Sequence, residues 1–148
     1  MRTIEAVRRS GVGIGPDKTI RDAAMTMEQS GIGSLAVIDD GRLVGIVTDR
    51  DLVRRGLARG LPNDARVDGL MSSPVITIDA DDDLHAAFTL FSTNAVRRLA
   101  VLRRGQFVGT VTIDDLLVYL AADLSDLVKP VTAEILFSHR DSLVPATT

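Results

Sequence analysis

The sequence predicts an α+β fold, sandwich-like, made of two repeats related by a pseudo-two-fold axis. Each repeat is expected to be a small, mostly antiparallel sheet with two packed helices. Three observations predict this. Gly45-Ile46-Val47-Thr48-Asp49-Arg50-Asp51 recurs as Gly109-Thr110-Val111-Thr112-Ile113-Asp114-Asp115 when 64 is added to each number, with glycine, valine, threonine and the final aspartate in register. Both copies follow a glycine turn, Asp40-Gly41 and Arg104-Gly105, and both run into apolar residues at helical spacing. The match continues without a gap from Ile14/Ile78 to Leu52/Leu116. A helix–strand–strand–helix unit of this size cannot cover both faces of its own sheet, whereas two such units packed together bury a continuous core.

Composition narrows the function. Of the 148 residues 45% are hydrophobic and 25% charged, the balance of a globular chain. Aromatics are only 3% and Trp is absent, so the core is built from Val, Leu, Ile, Ala and Met, with little surface for stacking nucleic-acid bases. A net charge of -3 argues against a general binder of phosphate backbones. Without cysteine there is no disulfide, thiol nucleophile or thiolate metal site. His85 and His139 give imidazole chemistry few openings, and no metal site is expected. No apolar run approaches the roughly 18 residues of a membrane span, so a cytoplasmic location and no membrane partner are expected.

The elements follow in order. Residues 1–11 read as a short lead-in with a helical turn, and Val12-Gly13-Ile14 as an extended stretch closed by Gly15-Pro16. Thr19 is a good helix N-cap, with Asp22 placed to complete a capping box. Ile20, Ala23, Ala24, Met27 and Ile32 share one helical face, and Gly31 ends the helix. Leu35 to Ile38 is a short buried strand, Asp39-Asp40-Gly41-Arg42 a hairpin turn, and Leu43 to Val47 its partner strand. A second helix, rich in arginine, is expected from Asp49 to Ala58.

Gly60-Leu61-Pro62-Asn63-Asp64 breaks that helix and opens a linker to about Leu70, after which the pattern restarts. Val75 to Ile78 is extended, Asp81-Asp82-Asp83 opens a helix carrying Leu84, Ala87, Phe88 and Phe91, and Leu99 to Leu102 repeats Leu35 to Ile38. Phe107 to Thr112 closes the hairpin, and the last helix of the repeat runs from Ile113 to about Leu124. The expected organisation is repeat 1 over 1–60, linker 61–70, repeat 2 over 71–124, and a C-terminal extension over 125–148. That extension is too apolar for a plain linker, with Leu124, Leu127, Val128, Val131, Ile135, Leu136 and Phe137. It is expected to fold back or to reach a partner subunit, with a frayed Pro145–Thr148 end.

Each repeat thus ends a β-run in a threonine, with an aspartate three residues on in the first turn of a helix. Asp51 and Asp115 either cap the free N–H groups there or turn outward to hold a pair of ligand hydroxyls. Both readings are open at this point. Asp81-Asp82-Asp83 lacks the loop spacing of a calcium motif, and acids at a helix start need no other reason.

Thr-Ile-x-x-Ala-Ala from Thr19, the Ile-x-x-Leu-Ala-Val-Ile-Asp run from Ile32 and Gly41-x-Leu-Val-Gly-Ile-Val-Thr-x-x-Asp together resemble a CBS domain. The second copy matches from Met71-Ser-Ser-Pro74-Val75 through Asp115, so residues 5–124 resemble a stand-alone CBS pair, or Bateman module. The resemblance implies an adenosine-containing ligand, of the AMP, ADP, ATP or S-adenosylmethionine class, in a cleft between the repeats. It implies ribose contacts at Asp51 and Asp115 with Thr48 and Thr112 beside them. Charged carboxylates accept two hydroxyl protons well. It implies base contacts at Val7 and Val12 for one cleft and Val75 and Ile76 for the other, with Ile46 and Thr110 as further walls. Phosphate contacts fall at Arg97 and Arg98, where the first repeat has Gly33-Ser34, and at Arg50, whose counterpart is Asp114. The asymmetry favours a cleft using Asp51 with Arg97 and Arg98.

The sequence therefore reads as a non-catalytic regulatory module without a required cofactor or catalytic residue, acting as a homodimer on a downstream protein. The alternative is a structural or interaction module with no physiological ligand. An enzyme is disfavoured because no nucleophile–base pair, metal cluster or glycine-rich phosphate loop is apparent.

Overall fold

Two hairpins set the architecture of this computed structural model, which describes residues 2–141, with side chains through Pro130. Strand β3 (Ser34–Asp39) turns into β4 (Arg42–Thr48), and β6 (Arg98–Arg103) turns into β7 (Gln106–Thr112). At the first turn φ is 48° at Asp40 and 78° at Gly41, and at the second 51° at Arg104 and 76° at Gly105. Two successive left-handed residues make the tight turn whose twist matches paired strands. It locks the same register twice, Ser34 opposite Thr48 and Arg98 opposite Thr112, with one irregularity at Val37/Ile38 and again at Val101/Leu102.

Each hairpin gains one parallel strand. Strand β2 (Gly13–Ile14) lies beside β3, and β5 (Thr77–Asp79) beside β6. The sheets are therefore mixed: a parallel neighbour needs a crossover, and helix α1 (Ile20–Ser30) or α3 (Leu84–Asn94) supplies it. Thr19 and Asp22 form the predicted capping box, and Asp83 caps α3 through the Ala86 N–H at 2.9 Å. Along α1, Ala23 and Met27 are buried whereas Ala24 is exposed. Along α3, Leu84, Ala87 and Phe91 are buried whereas Phe88 is exposed. The apolar faces are thus narrower than predicted.

The segments before each repeat change places. Strand β1 (Arg9–Ser10), from the lead-in to the first repeat, pairs antiparallel with β7 of the second. Reciprocally, Ser72 pairs with Ile46 of β4, with N–H to O distances of 2.8 and 3.1 Å. The motif glycines make this possible. A Cβ on Gly109 would collide with the Arg9 carbonyl, and one on Gly45 would lie 2.8 Å from Met71 Cγ.

Residues 61–70 are correspondingly more than a linker. The Val67 N–H reaches Lys18 O at 2.8 Å, the Ile20 N–H reaches Ala65 O at 2.8 Å, and Val67 and Leu70 are buried. They join Ala23, Met27, Leu35, Val37 and Val47 in the first core. At the other end, the Ile4 N–H reaches Asp82 O at 2.8 Å, and Ile4 is fully buried. Each sheet-and-helix layer is open at one end, and an apolar residue from the other segment closes it.

Two helices differ from expectation. The one predicted from Asp49 to Ala58, called α2 here over residues 49–59, starts as an α turn (Asp49–Asp51), widens to π geometry (Leu52–Gly56) and ends in a 3-10 turn (Leu57–Arg59). Gly56 sits in the wide turn, where a Cβ would lie 3.1 Å from Leu70, so this stretch is fitted to the incoming segment. The last helix does not stop near Leu124. Helix α4 runs over Ile113–Asp141 because no glycine interrupts it and Pro130 is accommodated inside. The chain resolves into two compact units, Met1–Ile113 and Asp114–Thr148, with α4 in the second. The side chains of Val131, Ile135, Leu136 and Phe137, and the tail from residue 142, lie outside the described residues.

Ile4→Ala is expected to cost about 2–5 kcal/mol, the usual range for emptying a buried isoleucine site, although the residue lies next to the N-terminus. Urea denaturation monitored by circular dichroism measures it. Met25→Ala, at an exposed position on α1, should change stability by roughly 0.5 kcal/mol or less.

Candidate functional site

The repeated motif ends each hairpin. Thr48 is the last residue of β4 and the N-cap of α2, in extended conformation. Its Oγ1 accepts the Asp51 N–H at 3.1 Å, and Asp51 Oδ2 accepts the Thr48 N–H at 2.9 Å. The two residues therefore form a capping box, and Asp51, its side chain only 15% exposed, caps its own helix. Capping uses one carboxylate oxygen. The other, Oδ1, lies 3.8 Å from Arg55 Nε, a charge contact longer than a hydrogen bond. Arg55 in turn donates to Leu70 O at 3.3 Å, tying the cap to the crossing segment.

In the second repeat Thr112 ends β7 opposite Arg98, and Asp115 lies half-buried in the first turn of α4. The adjacent arginines differ in exposure: Arg98, the first residue of β6, is half-buried, and Arg97, in the bend before it, is exposed. The Arg97 carbonyl accepts the Ile113 N–H at 3.0 Å, as the Gly33 carbonyl accepts the Asp49 N–H at 2.9 Å. Arg50 is exposed on α2, its backbone N–H on Asp49 Oδ1 at 2.8 Å.

The residues expected to meet a base divide between the crossings. Ile46 and Thr110 are the strand positions to which Ser72 and Arg9 pair. Val12 and Ile76 are equivalent in place: their carbonyls accept the Ala36 and Ala100 N–H groups at 2.9 and 3.1 Å. Val7 ends the 3-10 turn Ile4–Ala6. Val75 lines a cleft of about 650 Å³, within the size range of small-ligand sites. Its other walls are Arg42, Leu43 and Val44 of β4, Met71 of the crossing segment, Ser73 and Pro74 just after it, Thr77 of β5, and Leu102 with Gly105. Thr48, Asp51, Arg97 and Arg98 are not among them.

At the equivalent place in the other half, side chains lie close against the backbone. Phe107 stands where Leu43 does, its ring so close to Gly11 that a Cβ there would fall 2.6 Å from the ring edge. Ile38 stands where Leu102 does, 2.9 Å from a Cβ on Gly13. Arg8, beside β1, sends Nη1 to the Val108 carbonyl at 2.6 Å. Its other donors hold Glu5 in a two-pronged pair at 2.7 and 2.9 Å, and Arg103 adds a third bond at 2.7 Å. These bonds, those from Arg8 first, hold the Glu5 carboxyl below its usual range, and Glu5 raises Arg8. Of the site residues expected from the sequence, only Val75 lines the open cleft. The legible signal was the set of mismatches in the repeat alignment, Leu43/Phe107, Val75/Gly11 and Thr77/Gly13.

Among the described residues no group of three His, Cys, Asp or Glu side chains is placed to hold a metal ion, and no helix is long and apolar enough to cross a membrane.

The family model for the CBS domain matches residues 4–58 and 67–122. The chain belongs to the CBS-domain family. It is a CBS pair, of a domain class that is generally regulatory. It is 35% identical over 119 residues to Hypoxic response protein 1 of Mycobacterium tuberculosis, covering 78% of this chain and 83% of that protein. The CBS domain-containing protein YhcV of Bacillus subtilis is 32% identical over 105 residues, 71% of this chain and 75% of YhcV. Among solved structures, Hypoxic Response Protein I with two coordinated zinc ions superposes with a TM-score of 0.68 at 33% identity, covering 78% of this chain and 97% of that one. A CBS-domain protein from Pyrobaculum aerophilum complexed with AMP does so with a TM-score of 0.69 at 27% identity, covering 82% and 99%.

Two outcomes test this geometry. Thr48→Ala should cost about 1 kcal/mol through loss of the cap, read by denaturant unfolding. Because the folded Glu5 pKa is depressed, its stabilising contribution is complete above the unfolded value of 4.5 and is lost as pH falls below it. Glu5→Gln should therefore flatten part of the fall in thermal midpoint on acidification below about pH 4.5, while lowering the midpoint at pH 7.

Proposed function

We propose that this CBS pair is a non-catalytic regulatory module that binds an adenosine-containing nucleotide and signals occupancy by a change of conformation. The observation that carries the reading is the likeness to the AMP-complexed pair from Pyrobaculum aerophilum over most of both chains. An open cleft of about 650 Å³ beside the crossing segment supports it.

In this reading Thr48 with Asp51, and Thr112 with Asp115, hold ribose hydroxyls. Arg97, Arg98 and Arg50 meet phosphate, and Val7, Val12, Ile46, Val75, Ile76 and Thr110 flank the base. Asp51 would keep its cap through Oδ2 and use Oδ1 for a hydroxyl, displacing only the long contact to Arg55. The module works in the cytoplasm as a homodimer, the extension from residue 125 folds back or reaches a partner subunit, and the output passes to a downstream protein. A ligand shifts such a device only if it prefers one conformation.

A second reading rests on the capping box: Asp51 already has a structural task, which suits an interaction module with no ligand. Thermal unfolding of ligand-stripped protein against AMP, ADP, ATP, S-adenosylmethionine, NAD and GTP separates the two. An adenosine ligand at 100 times its Kd should stabilise the fold by about 2.7 kcal/mol. Val75→Trp, which fills the cleft, and Asp51→Asn should each shrink that shift. Equal stabilisation by GTP would remove the adenosine preference, and no shift with any nucleotide at millimolar concentration would favour the interaction module.

A further inference from the structure

The open cleft stands at one end of β4 and the Thr48–Asp51 motif at the other. Arg42, Leu43 and Val44 begin the strand and line the cleft, whereas Thr48 ends it. At about 3.3 Å per residue, Val44 lies roughly 13 Å and Arg42 roughly 20 Å from Thr48 along the strand. The cleft therefore has its own chemistry to offer. Its walls are apolar and half-buried at Leu43, Val44, Met71, Val75 and Leu102. At its exposed edge stand Arg42, Ser73 and Thr77.

Among the described residues Arg42 is the one charged side chain of the walls. It makes no hydrogen bond or ion pair there, not even with Asp39, its neighbour across the hairpin. The second repeat does not reproduce this group. Gln106 stands at the place of Arg42, and Gly13 at the place of Thr77. A lone guanidinium matches one negative charge, and its planar fork takes a carboxylate on two parallel donors. The Ser73 and Thr77 hydroxyls add donors for the same group. The apolar walls ask for an apolar body behind it, and a volume of about 650 Å³ suits a small organic molecule.

We propose that this cleft is a second ligand site, for a small monocarboxylate with an apolar body, separate from the ribose-binding motif. Arg42 holds the carboxylate, and Leu43, Met71 and Leu102 cover the body. The inference goes beyond the adenosine reading and does not depend on it. Val75 borders both sites in that reading, so a substitution there acts on both, and Arg42 and Thr77 are the positions that separate them.

Titration of the methyl-labelled full chain with hexanoate, hexyl phosphate and hexanol, followed by NMR, tests it. Hexanoate should shift the methyl resonances of Leu43, Val44, Met71 and Leu102, with a Kd about tenfold or more below that of hexanol. Arg42→Gln, which installs the residue that the second repeat carries after the same turn, should abolish that preference and leave hexanol binding unchanged. Thr77→Trp, at an exposed strand position, should block both probes, with circular dichroism confirming that each variant is folded. Millimolar AMP should leave the hexanoate shifts in place. Hexanoate binding of this kind without any response to AMP would support the site and count against the adenosine reading alone. No shifts at millimolar hexanoate, equal affinity for hexanoate and hexanol, or a preference that survives Arg42→Gln would overturn the proposal. Displacement of hexanoate by AMP would assign the cleft to the nucleotide and overturn it as well. Tighter binding of hexyl phosphate than of hexanoate would overturn the carboxylate assignment.

Discussion

Neither half of this chain closes its own sheet and helix layer. The segment before the first repeat, from Ile4 to Ser10, is spent on the second, and the segment before the second, from Ala65 to Ser72, is spent on the first. Everything else depends on this exchange. It buries Ile4, Val67 and Leu70 and pairs the free edges of β4 and β7. It also explains the motif glycines. Gly45 and Gly109 lie where another backbone crosses a strand, and any side chain there would occupy the space of Met71 or of the Arg9 carbonyl. A free strand edge is a liability, and each half covers the other's.

The same exchange places the chemistry. Thr48 and Asp51 stand where a strand edge, a helix start and the crossing segment meet, so one carboxylate caps α2 while Arg55 ties that turn to Leu70 O. A cap and a ligand contact are compatible because a carboxylate offers about four acceptor directions and the cap takes one. In the proposed reading such a residue is held in place before a ligand arrives, which would lower the ordering cost of binding.

The repeat is close in backbone and unequal in side chains. Registers, turns and the carbonyls of Val12 and Ile76 all correspond across an offset of 64. A handful of substitutions then makes the halves different. Phe107 stands for Leu43 and lies against Gly11, which stands for Val75, and Arg50 and Arg59 against Asp114 and Asp123 give the second helices opposite charge. Duplication supplies the scaffold, and divergence at solvent-facing and cleft-facing positions, where packing tolerates it, makes the halves unequal.

By itself the sequence determined what is local or repeated. Two successive left-handed residues at Asp40-Gly41 fix a hairpin through turn geometry, and Thr19 and Asp22 fix a helix start through hydrogen bonds three residues apart. The recurrence of the Thr48 and Asp51 pattern, with the runs before it, identified the family. Only the tertiary structure decided what depends on distant partners. The assignment of Val67 and Leu70 to a core rather than a linker, the wide turn at Gly56 and the open cleft at Val75 all require segments far apart in the chain to meet. The capping role of Asp51 likewise shows only in the position of Oδ2 against the Thr48 N–H. Periodicity carries no record of which segment crosses which sheet. That information lies in shape, in the missing Cβ of Gly45 and Gly109, and becomes legible once the crossing strands are seen against them.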